Sequence, residues 1–164
     1  MTKNLSFLVL LITVSSTLFS QDYLIEPTVI EVDSSHTKED IYTSVQVYLA
    51  EVYGDQREVI RLADPDQGLI VGKGLEENYT LGIFGEKTPS GFWEYTFKIE
   101  VKDGRYRYSI YEIYLANSTL TKKVKYGSAD ELYGSTKKRY EELPAKLKAV
   151  FEKIPISSTS TDDW

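Results

Sequence analysis

The sequence contains no cysteine and a single histidine, His36, and these absences exclude several kinds of site. Without cysteine the chain has no disulfide framework, no thiolate metal site and no cysteine nucleophile. One histidine cannot build a histidine-rich metal site, and it stands in a Ser-Ser-His-Thr run with no Gly-x-Ser-x-Gly hydrolase motif in the chain. The sequence therefore predicts no catalytic residues, no metal ligands and no cofactor.

Basic residues are scarcer than acidic ones. Lysine and arginine number 19, aspartate and glutamate number 25, and the formal net charge is −6. An acidic chain repels the phosphate backbone of nucleic acids and the anionic surface of a membrane. No nucleic-acid partner is therefore expected, and a polybasic attachment to membranes is disfavoured.

The long apolar run in the sequence lies at the N-terminus. Lys3 precedes Leu5–Val14, which has the length of a signal-peptide core, and residues 15–20 are rich in small side chains. We expect residues 1–20 to be a signal peptide that is cleaved before Gln21, with an uncleaved anchor as the alternative. Small secreted eukaryotic domains usually carry disulfides, so the lack of cysteine points to a Gram-negative envelope. The expected location is periplasmic or extracellular, and the cleaved protein is not expected to be integral to the membrane.

A long β-hairpin is the clearest structural signal, and it spans Phe92–Leu115. Asp103 and Gly104 separate two alternating runs, which is typical of a type I′ turn with φ > 0 at both central residues. Apolar and polar side chains alternate strictly on the first strand, and this pattern predicts one buried and one solvated face. The predicted buried face carries Trp93, Tyr95, Phe97, Ile99 and Val101, and the predicted solvated face carries Glu94, Thr96, Lys98, Glu100 and Lys102.

Further strands and two helices are predicted around this hairpin. The first helix begins at Thr37, with a capping box to Asp40, and ends at Gly54. Residues 128–143 are predicted to be helical in part, with Gly134 weakening the helix, and a second amphipathic helix is predicted to open at Pro144 and run to Ile154. The other predicted elements are a strand within 22–33, a strand at 58–63, a turn at 64–68, a strand or strand pair at 69–84, and a loop at 85–91.

The resulting order, β-α-β-β-β-β-α, predicts an α+β two-layer sandwich. An antiparallel sheet of about five strands would have both helices packed on the face that carries Trp93. The predicted organisation is a core at 21–117, a linker and C-terminal helices that pack on the core at 118–154, and a disordered tail at 155–164.

Three segments, taken together and in order, resemble a known family. They are HTKEDIYTSVQVYLAEVYG at the first helix, GLIVGKG at 68–74 and KDGRYRYSI at 102–110. About residues 28–116 resemble a family of secreted bacterial proteins described as domain of unknown function 4468 with a TBP-like fold. The resemblance implies a curved antiparallel sheet with helices on its convex side, and an exported location. It implies no activity, and a TBP-like shape does not imply DNA binding, because function belongs to sites rather than folds.

The solvated face of the hairpin is the candidate binding surface. Lys98, Arg105, Arg107 and Tyr111 would form a row of cations and hydroxyl groups, and this row is the predicted ligand-binding site. A bulge just after Tyr111 is predicted, because the apolar positions that follow are out of phase. The alternative interpretation is a solvated surface with cross-strand ion pairs such as Glu100 with Arg107.

These observations favour a non-catalytic binding module of the cell envelope, with an envelope protein or a small ligand as its partner. Two alternatives stay open. One is a hydrolase that uses two converging carboxylates with shifted pKa values. The other is a structural domain of an envelope assembly, which would present a large exposed apolar patch.

Overall fold

The computed structural model describes residues 23–54, 59–117, 119, 123–125, 132 and 134–157. The predicted signal peptide at 1–20 and the predicted tail from residue 158 onward lie outside these residues. The strands form one antiparallel sheet in the order β1-β5-β4-β3-β2, and β6 pairs with the end of β5. The elements described are β1 (Tyr23–Glu31), α1 (Lys38–Tyr53), β2 (Ile60–Asp64), β3 (Leu69–Leu81), β4 (Lys87–Lys102), β5 (Arg105–Ala116), β6 (Lys123–Lys125) and α2 (Gly134–Phe151).

One face of the sheet carries the core, and both helices pack on it. Phe97 of β4 is fully buried there. The ring of Tyr53 from α1 stacks on Phe97 with centroids 6.0 Å apart, and the ring of Phe151 from α2 lies 5.3 Å from Phe97. Because both helices contact the same ring, the predicted α+β two-layer arrangement is confirmed. We call this side the helix face; the opposite side, the open face, carries Lys73, Glu94, Lys98, Glu100 and Arg107.

The start of α1 is tied to the turn between β4 and β5. The predicted capping box is present, because Asp40 N–H donates to the Thr37 hydroxyl at 3.2 Å and Thr37 N–H donates to the Asp40 carboxylate at 3.0 Å. Asp103 accepts a further hydrogen bond from Lys38 N–H at 2.7 Å. These bonds satisfy N–H groups that the first turn of a helix leaves without partners, and they fix the hairpin against α1.

The conformation of this turn differs from the predicted type I′ turn. Gly104 has φ +68°, whereas Asp103 does not adopt a positive φ, and this is the pattern of a type II turn. Tertiary contacts of the two turn residues explain this difference. The Asp103 side chain bonds to α1, and Gly104 N–H donates to the His36 carbonyl at 3.0 Å. Contacts with the helix start therefore override the local preference of the Asp-Gly pair.

The paired strands β3 and β4 extend further than the sequence predicted, and they form an arm beyond the end of β5. The predicted loop at 85–91 is wrong, because residues 87–91 belong to β4 and pair with the end of β3. The connection lies at residues 82–86. This part of β4 extends past the end of β5, whose last residue pairs with Phe92, so β3 is its partner among the described strands. Such a locally unpaired edge tolerates Pro89, which lacks an N–H donor.

The C-terminal helix α2 is continuous through Pro144, and it includes part of the 128–143 segment that was predicted to be partly helical. Pro144 lies inside it, so the predicted helix start at Pro144 is wrong, and Ile154 lies beyond its end although it is buried. An internal proline removes one helical hydrogen bond. Leu143 and Leu147, on either side of Pro144, are 2% and 1% exposed, and their burial against the sheet offsets that loss.

The predicted bulge after Tyr111 is confirmed. Tyr111 pairs with Thr96 and Tyr114 pairs with Glu94, so β5 has one residue more than β4 between these pairs. Glu112 takes φ +55°, the one positive φ of a non-glycine residue in the described part of the chain. The extra residue returns the apolar positions that follow to the helix face. The short strand β6, which the sequence did not predict, pairs with β5 beyond this bulge.

Candidate functional site

Charged side chains gather at the hairpin end of the open face. Arg107 contacts Glu100 in a bidentate manner, with its Nε and Nη2 atoms 2.7 and 2.9 Å from the two carboxylate oxygens. Lys98 Nζ lies 3.3 Å from Glu100 Oε1. The predicted pairing of Glu100 with Arg107 across the strands is present in the register. We define the cationic cluster as Glu31, Lys98, Glu100, Lys102, Arg105 and Arg107.

Arg105 is weakly engaged and lines a groove. Its Nη1 atom is 3.9 Å from the carboxylate of Glu31, and both side chains are exposed, so this ion pair contributes at most about 1 kcal/mol. The groove beside it has a volume of about 170 Å³, below the 300–1,000 Å³ or so of typical small-molecule pockets. This space suits a single anionic group rather than a large ligand. Its lining residues are Val29, Glu100, Lys102, Arg105, Tyr106 and Arg107.

Tyr111 lies in the same row of β5 but apart from the cationic cluster. Four residues separate it from Arg107, which corresponds to about 13 Å along a strand. Its ring is half-buried and packs edge-to-face on Tyr23, with centroids 6.0 Å apart. The structure therefore places Lys98, Arg105 and Arg107 around Glu100 and leaves Tyr111 outside.

The structure contains a second ionic group, centred on Glu94, that the sequence did not predict. Glu94 is 7% exposed and accepts hydrogen bonds from Lys73, at 3.1 Å, and from Lys123. Beside it, the Thr96 hydroxyl donates to the carboxylate of the bulge residue Glu112 at 2.9 Å. Alternation along β4 placed Glu94 and Thr96 on the correct face, but their predicted solvation is wrong, because both are buried. The two lysines that contact Glu94 come from β3 and β6, whose pairing could not be read from the sequence.

Both central carboxylates are held in their ionised form. Hydrogen bonds from Arg107 lower the pKa of Glu100 below its ordinary value, although partial burial acts to raise it. Burial acts to raise the pKa of Glu94, but hydrogen bonds from Lys123 and Lys73 outweigh it and leave that pKa lowered as well. A general acid needs a raised pKa, so these carboxylates suit binding better than acid catalysis.

Comparison with known proteins assigns the chain to a family. Residues 27–115 match the family model of the domain of unknown function DUF4468 with TBP-like fold. The chain belongs to the DUF4468 family. The resemblance inferred from the sequence is thereby confirmed, and so is the predicted TBP-like fold. None of the curated proteins compared matches this DUF4468 chain.

Two solved structures share the fold of this DUF4468 chain. A DUF4468 family protein from Bacteroides ovatus ATCC 8483 is 13% identical, with a TM-score of 0.57, and the alignment covers 84% of this chain and 90% of that one. A TBP-like protein from Parabacteroides distasonis ATCC 8503 is 15% identical, with a TM-score of 0.52 and coverage of 82% and 96%. At these identities the likeness concerns the fold.

Within the described ranges the protein has neither a cluster of metal-binding side chains nor a helix suited to crossing a membrane. No group of three or more histidine, cysteine, aspartate or glutamate side chains in these ranges is placed to hold a metal ion. Neither α1 nor α2 combines the length and apolar character that a membrane crossing requires.

Proposed function

We propose that this DUF4468 protein is an exported, non-catalytic binding module of the cell envelope, and that its cationic cluster binds an anionic group. The observation that carries the proposal is the composition of that cluster. It places four cations beside two carboxylates in a chain whose net charge is −6. The two helices pack on the other face of the sheet, so the cluster is not part of the core.

The chemistry of the cluster favours a carboxylate or phosphate group on the ligand. Arginine presents a planar fork of donors that matches both groups. Arg107 already uses its fork on Glu100, whereas Arg105 Nη1 lies 3.9 Å from the Glu31 carboxylate, which is a long distance for an ion pair. Arg105 and Lys102 are therefore the cations available to a ligand in the groove. The ligand would be a small anion or an acidic segment of an envelope protein.

Nuclear magnetic resonance titration tests this binding. We expect succinate, and separately inorganic phosphate, to shift the backbone amide signals of Val29, Lys102, Arg105 and Arg107 in a saturable manner. Arg105→Gln should weaken the apparent affinity about 10-fold, because a hydrogen bond to a charged group contributes about 1.5–3 kcal/mol. Lys138→Gln on α2 removes the same charge from an exposed position and should change nothing. Shifts scattered over all basic residues, or an unchanged affinity in Arg105→Gln, would contradict the proposal.

Export is tested separately by the N-terminus of the protein. We expect a Gram-negative host to release a chain that begins at Gln21, because residues 1–20 have the layout of a signal peptide. Mass spectrometry of the periplasmic fraction measures this directly. Leu10→Arg places a charge in the apolar run and should retain the precursor in the cytoplasm. An intact N-terminus in the membrane fraction would support an uncleaved anchor instead, and an intact wild-type chain in the cytoplasm would disprove export.

A further inference from the structure

The turn between β3 and β4 presents two large apolar side chains that are almost fully exposed. Ile83 is 92% exposed and Phe84 is 91% exposed, and Leu81 next to them is 44% exposed. The other large apolar side chains exposed in the described part of the chain reach at most 54%. A contiguous exposed apolar group marks an interaction site in a stable protein. We call residues 81–86 the hairpin tip.

Hydrogen bonds within the hairpin tip hold its backbone in a defined turn. Gly82 N–H donates to the Glu86 carbonyl at 2.9 Å, and Gly85 N–H donates to the Gly82 carbonyl at 3.0 Å. Phe84 N–H donates to the carboxylate of Glu86 at 3.1 Å. These three donors have partners within the protein, which lowers the cost of bringing the turn close to an apolar medium. The two apolar side chains are thus carried by a preformed turn.

The arm that carries the hairpin tip is almost uncharged. Residues 78–93 include one acidic and one basic side chain, Glu86 and Lys87, although charged residues make up 27% of the whole chain. Glu86 is engaged with the backbone of the turn, and the Lys87 ammonium lies 4.6 Å from the centroid of the Tyr79 ring. The one charged side chain of the hairpin tip, Glu86, is thus engaged with the turn itself, and the tip presents few charges to guide recognition of a protein or of nucleic acid.

The small size of the hairpin tip also favours a lipid bilayer over a protein as its partner. A stable protein interface takes roughly 20–30 residues from each side with close shape complementarity. A tip of six residues with two prominent side chains falls far short of this. The interfacial region of a bilayer, by contrast, accepts a small apolar wedge without a matching shape.

We infer that the hairpin tip inserts Ile83 and Phe84 into the interfacial region of a zwitterionic lipid bilayer and holds the protein at the membrane surface. The net charge of −6 opposes approach to an anionic surface, so neutral headgroups are the matching partner. This contact does not depend on the anion binding proposed for the cationic cluster, because the two sites lie at opposite ends of β4.

Vesicle flotation with the full chain, purified in the form that cells produce, tests the inference. We expect wild-type protein to float with phosphatidylcholine vesicles and Phe84→Ser to lower the partition coefficient about 10- to 100-fold, from the burial energy of one large apolar side chain. Phe84→Leu should retain most of the binding. Both substitutions lie at a position that is 91% exposed, so folding should be preserved.

A site-specific probe separates the hairpin tip from the rest of the chain. Because the chain has no cysteine, a fluorophore can be attached at Thr80→Cys beside the tip or at Glu51→Cys on α1 as the matched control. We expect nitroxide-labelled lipid to quench the probe at position 80 and not the probe at position 51. Absent wild-type binding, unchanged partition of Phe84→Ser, or equal quenching at both positions would overturn the inference. So would binding restricted to phosphatidylglycerol vesicles, or tip-dependent self-association without lipid binding.

Discussion

Phe97→Ala is expected to lower the free energy of unfolding by about 3–5 kcal/mol, the usual result of truncating a buried phenylalanine. Phe97 is fully buried, and its ring joins the sheet to both helices through Tyr53 and Phe151. Chemical denaturation with urea measures the change. A loss of this size is a large part of the roughly 5–15 kcal/mol that typically stabilises a domain, so the urea series for this variant includes a stabilising osmolyte.

Two further variants keep this prediction testable. Phe97→Leu retains most of the apolar volume and should cost less than about 1.5 kcal/mol. Lys98→Ala alters the next residue of β4, whose side chain points to the open face, and should change the stability by no more than about 1 kcal/mol. A similar loss for Phe97→Ala and Lys98→Ala would show that the two faces of β4 are not divided as the structure indicates.

Gly74→Ala is expected to destabilise the protein by about 1–3 kcal/mol, because Tyr95 occupies the space that its methyl group would need. A Cβ atom on Gly74 would lie 2.5 Å from Cε2 of Tyr95 and closer still to its hydroxyl oxygen. The Tyr95 side chain cannot easily move away, since its hydroxyl group lies 2.7 Å from that of Tyr53 and the ring is 1% exposed. Thermal or urea unfolding measures the loss.

A double-mutant cycle isolates this contact. In a Tyr95→Leu background the methyl group has room, so Gly74→Ala should then cost less than about 0.5 kcal/mol. In a Tyr95→Phe background the ring remains in place, and most of the original cost should persist. Equal costs of Gly74→Ala in all three backgrounds would mean that the glycine is required for the course of the strand rather than for the approach of Tyr95.

The sequence predicted the fold where the pattern of side chains alone determines it. The alternation from Trp93 to Val101 identified the buried face of β4, and the capping box at Thr37 identified the start of α1. The predictions failed where contacts between residues far apart in the sequence determine the local conformation. Asp103 does not form a type I′ turn because its side chain is hydrogen-bonded to α1. Pro89 is accommodated in β4 because β5 ends before this position and requires no N–H donor from it.

The candidate site was predictable to the extent that it lies on the hairpin. Lys98 and Glu100 lie on one side of β4 and Arg107 lies opposite Glu100 on β5, so period-two alternation and a two-residue turn sufficed to place them together. Lys73 and Lys123 reach Glu94 from strands whose pairing is set by the whole sheet. The sequence did not indicate the hairpin tip, because its pattern predicts a loop at 85–91, where β4 begins.

β4 determines how far apart the two proposed binding sites lie. The hairpin tip lies just before Lys87, and the cationic cluster lies around Glu100 near the other end of the strand. At about 3.3 Å per residue a straight strand would place these positions about 43 Å apart, and this is an upper bound for a twisted strand with bulges. A protein held to a bilayer by its tip would therefore present the anion-binding groove well away from the lipid headgroups.

The position of β1 in the sheet has a consequence for how the protein folds. β1 is the first strand in the sequence, but its partner is β5, and α1, β2, β3 and β4 lie between them along the chain. Pairings between distant segments form slowly, whereas the adjacent strands β3, β4 and β5 can pair as they are made. A newly synthesised chain must therefore keep β1 unpaired until β5 has emerged. Pro27 lacks a backbone donor and lies at the register shift between Ile25 and Thr28, so an unpaired β1 offers a shorter run of hydrogen-bonding groups to a strand of another chain.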